Sequence, residues 1–143
     1  MKLYNIPQID GKLYLRDETD LWGFIQNGVY EPEETELIKS LVKSNDVCLD
    51  IGANIGYYTV LMAKLGKRVH ALEPEPSNYE LLKKNIEING LKNVYDGNYA
   101  VTKDYPTTEL YICDKSHGMH RTYPSKHCGK AITVPSVNEL GID

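Results

Sequence analysis

Short apolar runs alternate along the chain with polar stretches carrying Gly, Asn or Pro, and the period of each run sets the element it predicts. Residues 1–30 mix brief alternating stretches, such as Lys12-Leu13-Tyr14-Leu15, with turn residues, which predicts a small β-hairpin or arm packed on the main domain. Glu31-Pro32-Glu33-Glu34 opens a helix, because proline fits the first helical position and acids suit the positive helix start. Leu37, Ile38, Leu41 and Val42 share one face of it, and it runs to about Lys43. Val47–Ile51 is nearly continuous in apolar residues and predicts a strand buried on both faces, as in a parallel sheet. Asn54 is placed to cap a helix over Tyr57–Leu65, and Gly66 closes it. Val69–Leu72 predicts a second strand. Ser77-Asn78-Tyr79-Glu80 reads as a capping box for a helix that carries Leu81, Leu82, Ile86 and Ile88 and stops at Asn89-Gly90. Val94–Val101 holds a third strand, and Leu110–Cys113 and Ile132–Val134 predict two more around a polar loop, Asp114–Lys130. The β-α-β-α-β order predicts an α/β, Rossmann-like parallel sheet with flanking helices, with antiparallel additions near both termini.

The first strand runs into Asp50-Ile51-Gly52-Ala53-Asn54-Ile55-Gly56, a glycine loop that lets a ligand approach bare backbone. Glu73 ends the next apolar run about 20 residues on, the spacing of a ribose-binding carboxylate in a βαβ nucleotide fold. The ordinary alternative is a strand–helix turn, with Glu73 serving only as an acid near the next helix start.

A length of 143 residues predicts one domain, residues 1–143, with residues 1–30 as its arm. Apolar content of 41% and charged content of 25% fit a soluble globular chain. A net charge of −4 argues against a phosphate-backbone binder, so no nucleic-acid partner is expected. No apolar run reaches the ~20 residues of a membrane span, and no membrane partner is expected. Cys48, Cys113 and Cys128 form no even framework, which reads as a reducing, cytoplasmic setting.

The loop chooses between cofactors. In the dinucleotide pattern Gly-x-Gly-x-x-Gly the matching positions are Gly52, Asn54 and Tyr57, and a Tyr in the last place obstructs close helix–strand packing. That argues against a nicotinamide-dependent oxidoreductase. Asp50 at the loop mouth repels a pyrophosphate and suits a cationic ligand. S-adenosylmethionine carries an ammonium and a sulfonium, offers a ribose to Glu73 and has no phosphate. The segments Asp50–Thr59, Ala71–Tyr79 and Leu82–Gly90 resemble FkbM-type methyltransferases, class I enzymes that use S-adenosylmethionine, often for O-methylation of sugars or natural products. The resemblance covers roughly residues 28–135. It implies that Asp50, Gly52, Asn54 and Gly56 line the methionine part of the cofactor, with Ala53 and Tyr57 beside them. It also implies that Glu73 holds the ribose, with Pro74 and Asn78 near it, and that Asn98, Tyr99 and Ala100 approach the adenine. The function implied is methyl transfer to a small-molecule or sugar hydroxyl; the alternative is a cofactor-binding module without turnover, or one completed by a partner. The family continues past Val137–Asp143 with another parallel strand, so its C-terminal half is expected to be missing. Val47–Ile51 is then an edge, which a second copy, a completing partner chain or the N-terminal arm is expected to cover.

Ser116–Arg121 is similar to a loop in some members of that family. His117, His120 and Arg121 there are candidates to face the substrate, a histidine taking the proton of an attacking hydroxyl. The bland reading is a surface loop with a paired Arg. Cys113, Asp114, His117, His120, His127 and Cys128 crowd the same loop, but their spacing matches no structural zinc pattern, and no metal is expected.

Overall fold

The computed structural model describes residues 1–16, 30–113, 119–124, 126 and 128–141. Strands β1 (Lys2–Ile6) and β2 (Gly11–Leu15) form the expected antiparallel hairpin, joined by a 3-10 turn at Pro7–Ile9. Its apolar residues Ile6, Ile9, Leu13 and Leu15 are buried with Ile55, Tyr57, Val60, Leu61 and Leu81. Helices α1 (Pro32–Leu41), α2 (Tyr57–Leu65) and α3 (Pro76–Ile88) alternate with parallel strands β3 (Val47–Ile51), β4 (Arg68–Leu72) and β5 (Val94–Gly97), in the order β3-β4-β5. Among the described residues, no helix is long and apolar enough to cross a membrane.

The outer edge of β2 is finished by side chains. Asn85 Oδ1 accepts from Tyr14 N at 2.6 Å, and its Nδ2 donates to Tyr14 O and Ile55 O at 3.3 and 2.7 Å. One turn on, Asn89 Oδ1 accepts from Lys12 N at 2.8 Å and Nδ2 donates to Lys12 O at 2.7 Å. Two amides on one face of α3 thus satisfy the edge groups that a third strand would pair.

Two helix starts differ from the sequence reading. Gly56, at φ 93°, caps α2, while Asn54, at φ 51°, lies inside the loop. Glu75, not Ser77, caps α3, its carboxylate accepting from Asn78 N at 2.7 Å; Pro76 takes the first helical position, for which its fixed φ is suited.

β3 is not buried on both faces. Val69 and Ala71 of β4 pack with Met62, Ala63 and Leu82 on the helical side. On the other side Val47, Leu49 and Ile51 are exposed, Ile51 at 55%. In the parallel register Leu49, His70 and Tyr95 form one row across the sheet, and His70 stacks on Tyr95 with centroids 5.4 Å apart. The hairpin packs on α2 and α3, so it does not cover the β3 edge, and no other described strand pairs with it.

The predicted strand Val94–Val101 is broken in two. Glu73 N donates to Gly97 O at 3.0 Å where β5 ends. The chain then turns at Asn98, whose Nδ2 donates to Glu73 O and Pro74 O at 2.8 and 3.1 Å. Strand β6 (Ala100–Val101) joins a second sheet, parallel to β8 (Lys130–Val137), which pairs antiparallel with β7 (Thr107–Ile112). Ala100, Leu110 and Val134 form its small core.

Candidate functional site

Because β3 and β4 are parallel, their carboxyl ends lie side by side, where open α/β sheets place ligands. The glycine loop folds over the end of β4: Gly52 N and Ala53 N both donate to Leu72 O, at 2.8 and 3.0 Å. Glu73 then clamps it. Its Oε2 accepts from Asn54 N at 2.7 Å and its Oε1 from Glu75 N at 2.9 Å. The side chain is 4% exposed. Burial raises its pKa above the usual carboxylate range, opposed by these two donors and by the Asn78 side chain. Asp50 lies in β3 beside Ala71 of β4, with Thr59 Oγ1 donating to its Oδ2 at 2.5 Å; burial raises its pKa as well, against that hydroxyl.

The two loop glycines do different work. Gly52 has φ 77°, and a Cβ there meets nothing within 4 Å, so its open side faces free space. Gly56, also left-handed, lies 2.6 Å from Leu82 Cδ1 at the Cβ position, so it is needed for packing.

A cavity of about 450 Å³ opens beside Gly52, within the range of small-molecule sites. Ile51, Gly52, Pro74, Tyr99, Ala100, Val101, Leu110 and the Met119–Tyr123 wall line it. Of the residues singled out in the sequence, it brings together Gly52, Pro74, Tyr99, Ala100, His120 and Arg121. Others are occupied elsewhere. Ala53 is buried in the helical core, and the Tyr57 hydroxyl sits 3.1 Å from Thr35 Oγ1. Asn78 is buried, with Oδ1 accepting from Arg16. Asn98 braces the backbone of Glu73 and Pro74. His117 lies outside the described residues.

His120 is poorly set up as a base. Its Nδ1 accepts from Cys113 N at 3.1 Å, so in the neutral ring the proton sits on Nε2 and no lone pair remains for a substrate hydroxyl. Arg121 is anchored through its backbone, with reciprocal bonds to Tyr111 of 2.7 and 3.2 Å. Tyr123 was missed in the sequence. The available signal was the Arg121-x-Tyr123 spacing, which puts both side chains on one face of an extended segment.

The thiol reading needs correction. Cys113 and Cys128 are joined by a disulfide, and Cys48 is the free cysteine. The sequence-level count could not reveal that the β7–β8 pairing sets the two side by side. Among the described residues, no group of His, Cys, Asp and Glu is arranged to hold a metal ion.

Residues 24–111, more than half of the chain, match the family model of the TRM5/TYW2 methyltransferase domain. The chain is 39% identical over 64 residues to the tRNA(Phe) (4-demethylwyosine(37)-C(7)) aminocarboxypropyltransferase of Methanocaldococcus jannaschii, a match covering 43% of this chain and 26% of that protein. It is 34% identical over 76 residues to tRNA (guanine(37)-N(1))-methyltransferase Trm5b of the same organism, covering 51% and 22%. The solved structure of M. jannaschii TYW2 in complex with AdoMet aligns at a TM-score of 0.45 and 26% identity, over 61% of this chain and 38% of that one. The chain spans about a quarter of the length of the two curated relatives. The family model and the two curated relatives correct two expectations. The family is not the FkbM type: the strand–glycine loop–helix–acid pattern is common to class I methyltransferases and does not separate one family from another. The exclusion of nucleic acid also fails, since both relatives modify tRNA by name. Net charge reports on backbone binding by the chain as a whole, and a site that reads a single base needs no basic face.

Proposed function

The chain belongs to the TRM5/TYW2 methyltransferase domain family, and on that premise we propose that it is the cofactor-binding domain of an S-adenosylmethionine-dependent transferase acting on a tRNA base. The observation that carries this reading is the side-chain-free Gly52 lining, with Pro74, a cavity of about 450 Å³ at the carboxyl ends of β3 and β4. The residues fit the cofactor. Asp50 offers a carboxylate to its ammonium, Gly52 a surface with no side chain, and Tyr99 and Ala100 an apolar seat for its adenine. Glu73, buried and holding three donors, fixes the loop next to Pro74, which lines the cavity.

When bound, the cofactor supplies an electrophilic carbon on a sulfonium. What the chain contributes is positioning. Glu73 and Leu72 O fix the loop, and holding two reactants in line is worth up to about 7–11 kcal/mol in favourable cases. A ring nitrogen or carbon takes the place of the hydroxyl acceptor expected from sequence; such a position still gives up a proton as the new bond forms, and His120, whose Nδ1 already accepts from Cys113 N, is not assigned that role.

Calorimetric titration with S-adenosylhomocysteine tests the cofactor site, and micromolar affinity is expected. Incubation with unmodified tRNA and cofactor labelled on either the methyl or the carboxyl carbon then tests transfer. Label retained from the methyl carbon alone identifies a methyltransferase; label from the carboxyl carbon identifies aminocarboxypropyl transfer. A folded chain that leaves the ligand unbound at millimolar concentration overturns the proposal.

A further inference from the structure

The Met119–Tyr123 wall of the cavity has a composition the cofactor does not call for. Arg121 lies over the ring of Tyr123, with its guanidinium carbon 5.5 Å from the ring centroid, and its NH1 donates to the Tyr123 hydroxyl. Its Nε is buried without a partner, and among the described residues no carboxylate pairs with it. Tyr123 is 55% exposed and Met119 43%, large apolar surfaces left open beside a cavity. Below them Leu110 and Ala100 are buried and present only aliphatic atoms. The wall is held firmly: Arg121 is bridged to Tyr111, His120 takes the Cys113 N–H, and the Cys113–Cys128 disulfide closes the loop behind them.

A phosphate does not suit this wall. The guanidinium is engaged with the Tyr123 ring and hydroxyl, and the open surface is ring and thioether. A flat, polarisable heterocycle does suit it, since aromatic rings and guanidinium planes are what unstacked bases rest on. We propose that Tyr123, held by Arg121 and flanked by Met119, is the stacking platform for the acceptor base of the RNA, in the cavity that Gly52 also lines. This rests on the functional reading above and adds to it the residues that hold the acceptor.

The test uses the whole chain saturated with S-adenosylhomocysteine and a fluorescein-labelled, unmodified tRNA transcript, followed by anisotropy, with cofactor affinity measured separately by calorimetry. Tyr123→Ala is expected to weaken RNA binding by about tenfold, the scale of one lost stack, and Tyr123→Phe to retain it within about twofold. S-adenosylhomocysteine affinity stays unchanged in both. If Tyr123→Ala weakens S-adenosylhomocysteine to the same degree, the wall belongs to the cofactor and the platform is wrong. RNA binding unaltered in Tyr123→Ala also overturns it, as does wild-type chain that binds S-adenosylhomocysteine but no RNA. Wild-type chain that binds no S-adenosylhomocysteine defeats the functional reading itself, a separate result.

Discussion

Replacing Gly52 by alanine separates what the loop needs for folding from what it needs for a ligand. Gly52 is left-handed at φ 77°, and an L-residue there costs about 1–2 kcal/mol. No steric term adds to this, because a Cβ at that position has no neighbour within 4 Å. Against a domain stability of about 5–15 kcal/mol, Gly52→Ala remains folded. The new methyl enters the cavity, where it competes with whatever approaches the backbone. Overpacking by one methyl costs about 1–3 kcal/mol, roughly a five- to 150-fold loss of affinity. Gly56→Ala is the contrast. Its Cβ falls 2.6 Å from Leu82 Cδ1 in the buried core, so strain and overpacking combine to about 2–5 kcal/mol of lost stability. Urea unfolding followed by circular dichroism gives the two stabilities, and calorimetry with S-adenosylhomocysteine gives the affinities. Wild-type affinity in Gly52→Ala refutes the assignment of its open side to the cofactor. Equal destabilisation by the two substitutions refutes the geometry.

Three further outcomes are expected. Asn85→Ala removes a fully buried amide with three hydrogen bonds and strands Tyr14 N and Ile55 O; a loss of about 3 kcal/mol follows, and a shift in urea midpoint worth less than 1 kcal/mol counts against the bracket. Asp50 has its folded pKa raised by burial, so protonation favours the folded state: that stability is fully present below the unfolded value of about 3.9 and is lost as pH rises through the folded value. Asp50→Asn is therefore expected to be more stable than wild type at pH 7, with the gap closing towards pH 3, and to bind S-adenosylhomocysteine more weakly; an equal urea midpoint at pH 7 refutes the sign. The Cys113–Cys128 link spans 15 residues, so reduction lowers stability by up to about 3 kcal/mol in the chain-entropy account; thiol titration of the unfolded chain is expected to find one group before reduction and three after, and three at the outset disproves the bridge.

The parts of the fold written in local patterns were legible. The run Val47–Ile51, the loop glycines and the acid at Glu73 fall where sequence places them, because each depends on neighbours close in the chain. The caps moved because several residues compete for one role: Glu75 wins over Ser77 once Pro76 takes the first helical turn, and Gly56 wins over Asn54 because Leu82 leaves no room for a side chain. The break at Gly97–Tyr99 was hidden, since a strand and its continuation into another sheet read alike. Asn85 and Asn89 looked like ordinary helix residues; nothing local says that their amides serve a strand far away. Burial of β3 on both faces failed because hydrophobicity shows what a residue prefers, not whether anything covers it. Of the residues singled out for the cofactor, Gly52, Pro74, Tyr99 and Ala100 line the cavity, while Tyr123 joins them only through the long-range bridge of Arg121 to Tyr111.

The amide bracket on β2 also bears on the order in which the molecule assembles. Lys12 and Tyr14 are separated from Asn89 and Asn85 by 77 and 71 positions. A lone two-stranded hairpin is marginal in water, so this one lacks its edge partners until α3 exists. Closing so wide a loop carries an entropy penalty that is met only after the intervening βαβ unit has collapsed. The hairpin is thus made before α3 and is locked only after it, and folding-rate measurements on Asn85→Ala should show the loss almost wholly in faster unfolding.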